Sequence, residues 1–253
     1  MASAARGRPG TLTFDPTANG LIAFDFVTGP SVVTALFDAI PKRQTTRSEF
    51  DGRPVSVADL RTLAAAATLP GVDLALLADR PQLARVRDLV VAGNDVQMAD
   101  PAFMRELKSW LRFNPRQATE TGDGLYSAAS GSPTMPDWLG PRAFDWFVTA
   151  KSENDKYARQ LRSSSGVAIF VGAQEDREHW VQVGRACQRF ALQATALGLK
   201  HAFVNQPVEV PALRPELATL LGLPGRRPDI VMRFGHGTNL PFSARRPARI
   251  VTT

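Results

Sequence analysis

Apolar and polar positions alternate between two rhythms along this chain. Leu21-Ile-Ala-Phe-Asp-Phe-Val27 is a short, mostly apolar run closed by Thr28-Gly29-Pro30, and it predicts a strand. Before it, residues 1–20 mix Gly, Ala and Pro without a sustained period and predict a loose arm. Ser31, then Val33, Leu36, Phe37 and Ile40 at helical spacing, predict a helix N-capped by Ser31 and ended by Pro41. Ser56 caps a second helical pattern with Val57, Leu60, Leu63 and Ala64 on one face. Val72 to Leu77 reads as a strand. Residues 80–98 form a long helical pattern with Leu83, Val86, Leu89 and Val90 inward and Arg and Asp outward. Asp100-Pro101 opens another helix, with Pro in the first turn, carrying Phe103, Leu107, Trp110 and Leu111.

Residues 114–140 break the rhythm. Gly, Ser, Pro and Thr dominate, punctuated by Tyr126, Met135, Trp138 and Leu139. A loop this long is uncommon in a compact domain unless it is functional. The aromatic positions suit a lid packed over something, or equally a surface excursion stapled by Trp138. Gly166-Val-Ala-Ile-Phe-Val-Gly172 is a continuous apolar run between glycines, the pattern of a strand buried on both faces. Residues 179–197 form a long helix with little charge after Arg189, stopped by Gly198. Being apolar on several faces, it is a core helix or a dimer-axis helix. His201-Ala-Phe-Val204 and Ile230-Val-Met-Arg-Phe234 read as two more core strands. The sum is α+β, without the regular βαβ spacing of a dinucleotide-binding fold.

The 253 residues suffice for one large domain, and 44% hydrophobic with 21% charged residues is ordinary for a folded, water-exposed protein. No apolar run is long enough for a transmembrane helix, and no apolar segment follows the basic N-terminus as an export signal requires; the expectation is cytoplasmic, away from membranes. The net charge of +6 is compatible with phosphate-bearing ligands. Its dispersed basic residues, with few aromatics among them, argue against a nucleic-acid groove. The single cysteine, Cys187, lies in an amphipathic helical pattern as a small buried residue, and no disulfide or cysteine-based zinc site can be built. His179, His201 and His236 are far apart, so neither a metal pair nor a hydrolase triad is legible, and no catalytic side chain is assigned.

One short segment does carry chemistry. Lys42-Arg43-Gln44-Thr45-Thr46-Arg47 sets two guanidiniums around two hydroxyls, a donor set suited to a phosphate monoester. A second basic pair, Arg245-Arg246, precedes Pro247 near the C-terminus. A fold that joins the two makes a phosphate clamp.

Three stretches together resemble the flavin-dependent nitroreductases. Arg43-x-Thr45-x-Arg47 is similar to the Arg-x-Ser-x-Arg motif that opens that family. Gly184 to Leu199, followed by His201-Ala-Phe-Val, resembles its long central helix and next strand. Pro207-Val208-Glu209-Val210, Leu221-Gly222-Leu223, Pro228-Asp229, Phe234-Gly235-His236 and Arg245-Arg246-Pro247 follow its C-terminal order. Asp38-Ala39-Ile40-Pro41 and Ala99-Asp100-Pro101-Ala102 resemble the second half of a branch in which two such halves are fused around one flavin.

The resemblance implies a mixed, mostly antiparallel sheet flanked by helices, with a long central helix, in a single domain over residues 21–253. It implies FMN as cofactor, with Arg43, Thr45, Arg47, Arg245 and Arg246 on its phosphate. Glu209 and the Val210 amide would stand beside flavin N5, where a donor favours the reduced, anionic ring. NAD(P)H would give the electrons and a small electron-poor acceptor, nitroaromatic or quinone, would take them. A flavin-sequestering or degenerate binding protein is the alternative. Two departures matter. The Ser-x-x-Asn-x-Gln-Pro-Trp-like segment that walls the flavin ring in the family is missing, and Val210 stands where the family prefers Gly. The first leaves the ring wall to a second copy or to an N-terminal half-domain, and the second disfavours close approach of the backbone to flavin N5.

Overall fold

The computed structural model describes residues 1–244, apart from 16, 18 and 19, together with residue 246. Arg245, half of the expected C-terminal clamp, lies outside the described residues. The chain begins with an antiparallel hairpin, β1 (Gly10–Asp15) on β2 (Leu21–Phe26), with Gly10 opposite Phe26. Residues 10–15 thus form a paired strand where a loose arm is expected. Alternation of Leu12 and Phe14 with threonines lets the segment pair with the apolar run after it.

The next helix, α1 (Ala35–Ala39), is shorter than its apolar spacing predicts. Its N-cap is Thr34, whose hydroxyl accepts from the Phe37 amide at 3.2 Å. The Ser31 hydroxyl instead donates to the carbonyl of Ala5, 2.8 Å away, so Ser31 ties the chain to the N-terminal turn. A 3-10 turn over Ile40–Lys42 follows, and there Pro41 ends regular structure.

The predicted elements then come in order: α2 (Val57–Ala67), capped by Ser56 as expected, β3 (Val72–Leu77), α3 (Arg80–Met98) and α4 (Pro101–Trp110). Residues 114–140 are more ordered than a loop. The two-residue strands β4 (Leu111–Arg112) and β5 (Leu125–Tyr126) pair in parallel around α5 (Pro115–Thr121). Trp138 is 67% exposed and staples nothing. Two helices follow, α6 (Gly140–Phe147) and α7 (Ala150–Arg162). The second is held by a reciprocal capping box between Thr149 and Ser152. The rest is β6 (Gly166–Gly172), α8 (Arg177–Ala196), β7 (Lys200–Phe203), the single-turn α9 (Gln206–Glu209), α10 (Arg214–Leu220) and β8 (Pro228–Gly235). Gly198 takes φ +73° just past α8, the left-handed stop its position predicts.

The main sheet runs β3-β6-β8-β7, antiparallel throughout. Helices cover both faces, which is why β6 is buried at every position. Its Ala168 and Phe170 pack toward α2 and α8, where Phe190 meets Phe170 and Phe234 edge-on at 5.7 and 5.5 Å. Its Val167, Ile169 and Val171 pack toward α3, α7 and α10, against Val86, Leu161 and Leu217. Cys187 is buried in the first of these layers, and burial pushes its thiol up to about 12. Among the described residues no helix is long and apolar enough to cross a membrane.

Candidate functional site

The basic loop reaches its place by adding to the sheet. Thr45 bridges in parallel to His201 on β7, and the Thr46 amide donates to the His201 carbonyl at 2.8 Å. The far end of the chain returns to the same loop. Gln44 Nε2 donates to the carbonyls of Leu240 and Pro241 at 2.9 and 2.8 Å, and the Leu240 amide donates back to Gln44 Oε1 at 3.3 Å. Residues 240 and 241 are thus held against the basic loop. The stitching residue is Gln44, which no charge pattern would single out.

Arg43, Gln44, Thr45 and Arg47 line a cavity of about 130 Å³, closed by Leu125, Ala129, Phe242 and Ser243. Arg246 is placed elsewhere: its Nε donates to the Gly122 carbonyl at 2.5 Å, beside α5, and it does not line this cavity.

Arg47 and Leu125 also line a second chamber of about 400 Å³. One wall comes from α3, with Asn94, Gln97 and Met98. Another comes from α7, with Glu153, Lys156 and Tyr157. Gln206 and Glu209 of α9 stand at its far side. The segment read as a lid contributes Leu125, Ser130 and Ser132, and Phe144 of α6 adds an aromatic edge. Small donors beside Arg47 and a roomier, mixed apolar and polar chamber beyond it suit a ligand with an anionic tail and a planar body.

Charge in the chamber is set by burial. Arg47 is held below its usual range by desolvation, opposed by the nearby Tyr157 phenol. Tyr157 is pushed up to about 12, first by burial and then by Glu153, so it is a neutral hydroxyl at any ordinary pH. Lys156 is paired with Glu153 at 2.6 Å. Glu209 accepts from Gln97 Nε2 at 2.7 Å, which fixes its carboxylate against α3. The Val210 amide already donates to the Gln206 carbonyl at 3.1 Å, and Val210 is not among the lining residues. Facing a ligand with that amide requires giving up this bond. Beneath the loop, His201 is fully buried, and desolvation, with Arg43 second, lowers it to about 4. Among the described residues no cluster of His, Cys, Asp and Glu is able to hold a metal ion.

Sequence reasoning named Glu209 of α9 but missed the residues of α7, Gln206 of α9, and Asn94 and Gln97 of α3. The signal for α7 was present: a Thr149-x-x-Ser152 cap and Tyr157 four residues before Leu161 on one apolar stripe. Gln206 and Gln97 had none, because uncharged amides become informative only when packing brings them to one wall.

An antiparallel sheet between two helical layers, with a basic loop added on its β7 edge, places the chain among the layered α+β proteins. Residues 40–237 match the profile of the Nitroreductase family, and the chain belongs to it. It is 27% identical over 203 residues to "Putative NAD(P)H nitroreductase Rv3131" of Mycobacterium tuberculosis, covering 79% of this chain. The match takes in 55% of that relative, so the chain spans about half the length of the curated proteins it resembles. The fold is similar to a nitroreductase with bound FMN from Desulfitobacterium hafniense, at TM-score 0.54 and 14% identity, over 88% of this chain and 100% of that one. It is also similar to the FMN-dependent nitroreductase NfnB from Mycobacterium smegmatis in complex with NADPH, at TM-score 0.52 and 12% identity, over 85% and 98%.

Proposed function

We propose that this chain binds FMN and serves as a flavin-dependent oxidoreductase, taking electrons from NAD(P)H and passing them to a small electron-poor acceptor. The carrying observation is the pair of cavities that meet at Arg47, one lined by the basic loop and the other reaching Glu209. The donor set fits the cofactor. Arg43, Thr45 and Arg47 offer guanidinium and hydroxyl donors to a phosphate, and the family resemblance adds Arg245. The larger chamber gives the ring apolar edges in Leu125 and Phe144 and polar contacts from Asn94, Gln206 and the neutral Tyr157 hydroxyl.

When bound, the flavin supplies the hydride-accepting and electron-donating centre, which accounts for a site without a catalytic dyad. The chain's own work is to bind, orient and exclude water. In this reading Glu209, anchored by Gln97, positions the α9 turn at the ring's reactive edge. The open side of the ring is covered by a second nitroreductase-like half or a second copy, because the ring-wall segment of the family is absent from this sequence.

A second reading has its own support: Leu125, Ser130 and Ser132 form a wall over the chamber, which suits a protein that holds flavin closed to substrate. Adding NADPH anaerobically to the purified, flavin-loaded chain separates the two. Bleaching of the flavin absorbance supports turnover. A persistent oxidised spectrum supports sequestration. Failure to take up added FMN at all ends both readings.

A further inference from the structure

Three consecutive carbonyls of the basic loop are held from the protein interior. Arg233, on β8, donates through Nη2 to the carbonyls of Thr46 and Ser48, at 3.2 and 2.7 Å. The carbonyl between them, that of Arg47, accepts from the side-chain amide of Gln160 on α7. Arg233 is fully buried, and its guanidinium lies over the Phe50 ring, 4.1 Å from the centroid. A fully buried arginine is costly unless it does something that an apolar residue of similar volume would not.

We propose that Arg233 is a positioning residue for phosphate binding: with Gln160, it fixes the peptide planes at residues 46–48 so that Arg47 meets the phosphate monoester of the ligand. The physical logic is a fixed guanidinium plane. Held over the Phe50 ring, it sets one nitrogen, Nη2, whose two N–H groups reach carbonyls two residues apart, and an ammonium on a flexible stem has no such plane to hold. Turning these carbonyls inward removes their negative ends from the anion's surroundings. Arg233 also adds positive charge behind the loop, and each of Arg47 and Arg233 is desolvated, with Arg47 opposing the charge on Arg233. The nearby groups of opposite tendency are the Tyr157 phenol and Glu49, and Glu49 is already engaged with Arg159 at 2.9 Å. Two like charges that oppose each other across the loop favour a dianionic ligand over a neutral one. Neither Arg233 nor Gln160 lines either cavity, so both act through the loop.

This inference rests on the loop being the FMN phosphate site, and its test separates the two. The affinities of the full chain for FMN and for riboflavin, which lacks the phosphate, are measured in the wild type, Arg233→Met, Arg233→Lys and Gln160→Met. The wild type is expected to prefer FMN. Both Arg233 variants are expected to lower the FMN-to-riboflavin affinity ratio roughly tenfold or more, with riboflavin affinity little changed. Gln160→Met, a milder change, lowers the ratio in the same direction and decides the matter if the Arg233 variants do not fold. A merely structural role would weaken both flavins alike and leave the ratio unmoved. A wild type that prefers FMN, with an unchanged ratio in the folded variants, overturns the inference alone. A wild type that binds the two flavins equally overturns the functional reading and the inference with it. A ratio fully restored in Arg233→Lys assigns the effect to charge and overturns the argument from the guanidinium plane.

Discussion

Arg47 stands where the two cavities meet, and Arg43 faces only the smaller one. Truncating either to Ala is expected to weaken FMN binding by ~1.5–3 kcal/mol, the range of a charged hydrogen bond. Arg47→Ala should also weaken riboflavin, because its side chain touches the larger chamber as well, whereas Arg43→Ala should spare it. Titrations showing no loss of FMN affinity in both variants would remove the loop from the site. His201 gives a stability prediction with a definite sign. Its folded-state value, about 4, lies below the ordinary 6.5, so the unfolded chain takes up its proton first. The stabilisation is complete above about pH 6.5 and is lost progressively down to about pH 4, amounting to roughly 3 kcal/mol. Urea unfolding across this range should show the decline in the wild type and a flatter profile in His201→Met. Parallel profiles would mean that the buried imidazole is not the titrating group.

Close approach between α3 and α9 places Gln97 beside Glu209. Gly93 makes this possible: a Cβ there would sit 2.7 Å from the Cβ of Gln206 and 2.9 Å from its backbone. Gly93→Ala must push the α9 turn outward. We expect a destabilisation of ~1–3 kcal/mol together with weakened flavin binding, since overpacking moves backbone that carries the site. Thermal unfolding and FMN titration on the same sample check both halves; a stable variant with normal affinity would show that α9 is free to shift. On the opposite layer, Phe190→Ala removes the ring that joins Phe170 to Phe234. It should cost ~3–5 kcal/mol while leaving the flavin affinity of the folded fraction unchanged, because that layer faces away from the chamber.

Across the whole molecule, the +6 net charge and the basic loop act in the same direction on an anionic ligand. FMN affinity should therefore fall as salt is raised from ~0.01 to ~0.15 M, and riboflavin affinity should change far less. Equal salt dependence for the two flavins would deny the loop its electrostatic part. The layered plan explains why the site lies at an edge. β6 and β8 are the central strands between the helical layers, and β7 leaves an edge to which the chain at residues 45–46 can add.

Much of this was legible from local pattern. The apolar run 166–172, the Ser56 cap and the Gly198 stop each state their element in a few residues, because caps, glycine stops and strand periodicity are short-range physics. The Arg-x-Thr-x-Arg spacing offers donors suited to an anion, and it becomes an expected phosphate site only together with the matching order of motifs further along the chain. What local pattern does not carry is partnership between distant residues. Gln44 holding residues 240 and 241, Gln97 fixing Glu209, and Arg233 gripping the carbonyls around Arg47 all join segments more than a hundred residues apart. A buried arginine and a glutamine leave no periodic trace in a sequence. Their roles follow from which carbonyl the packed sheet and helices bring within hydrogen-bond reach.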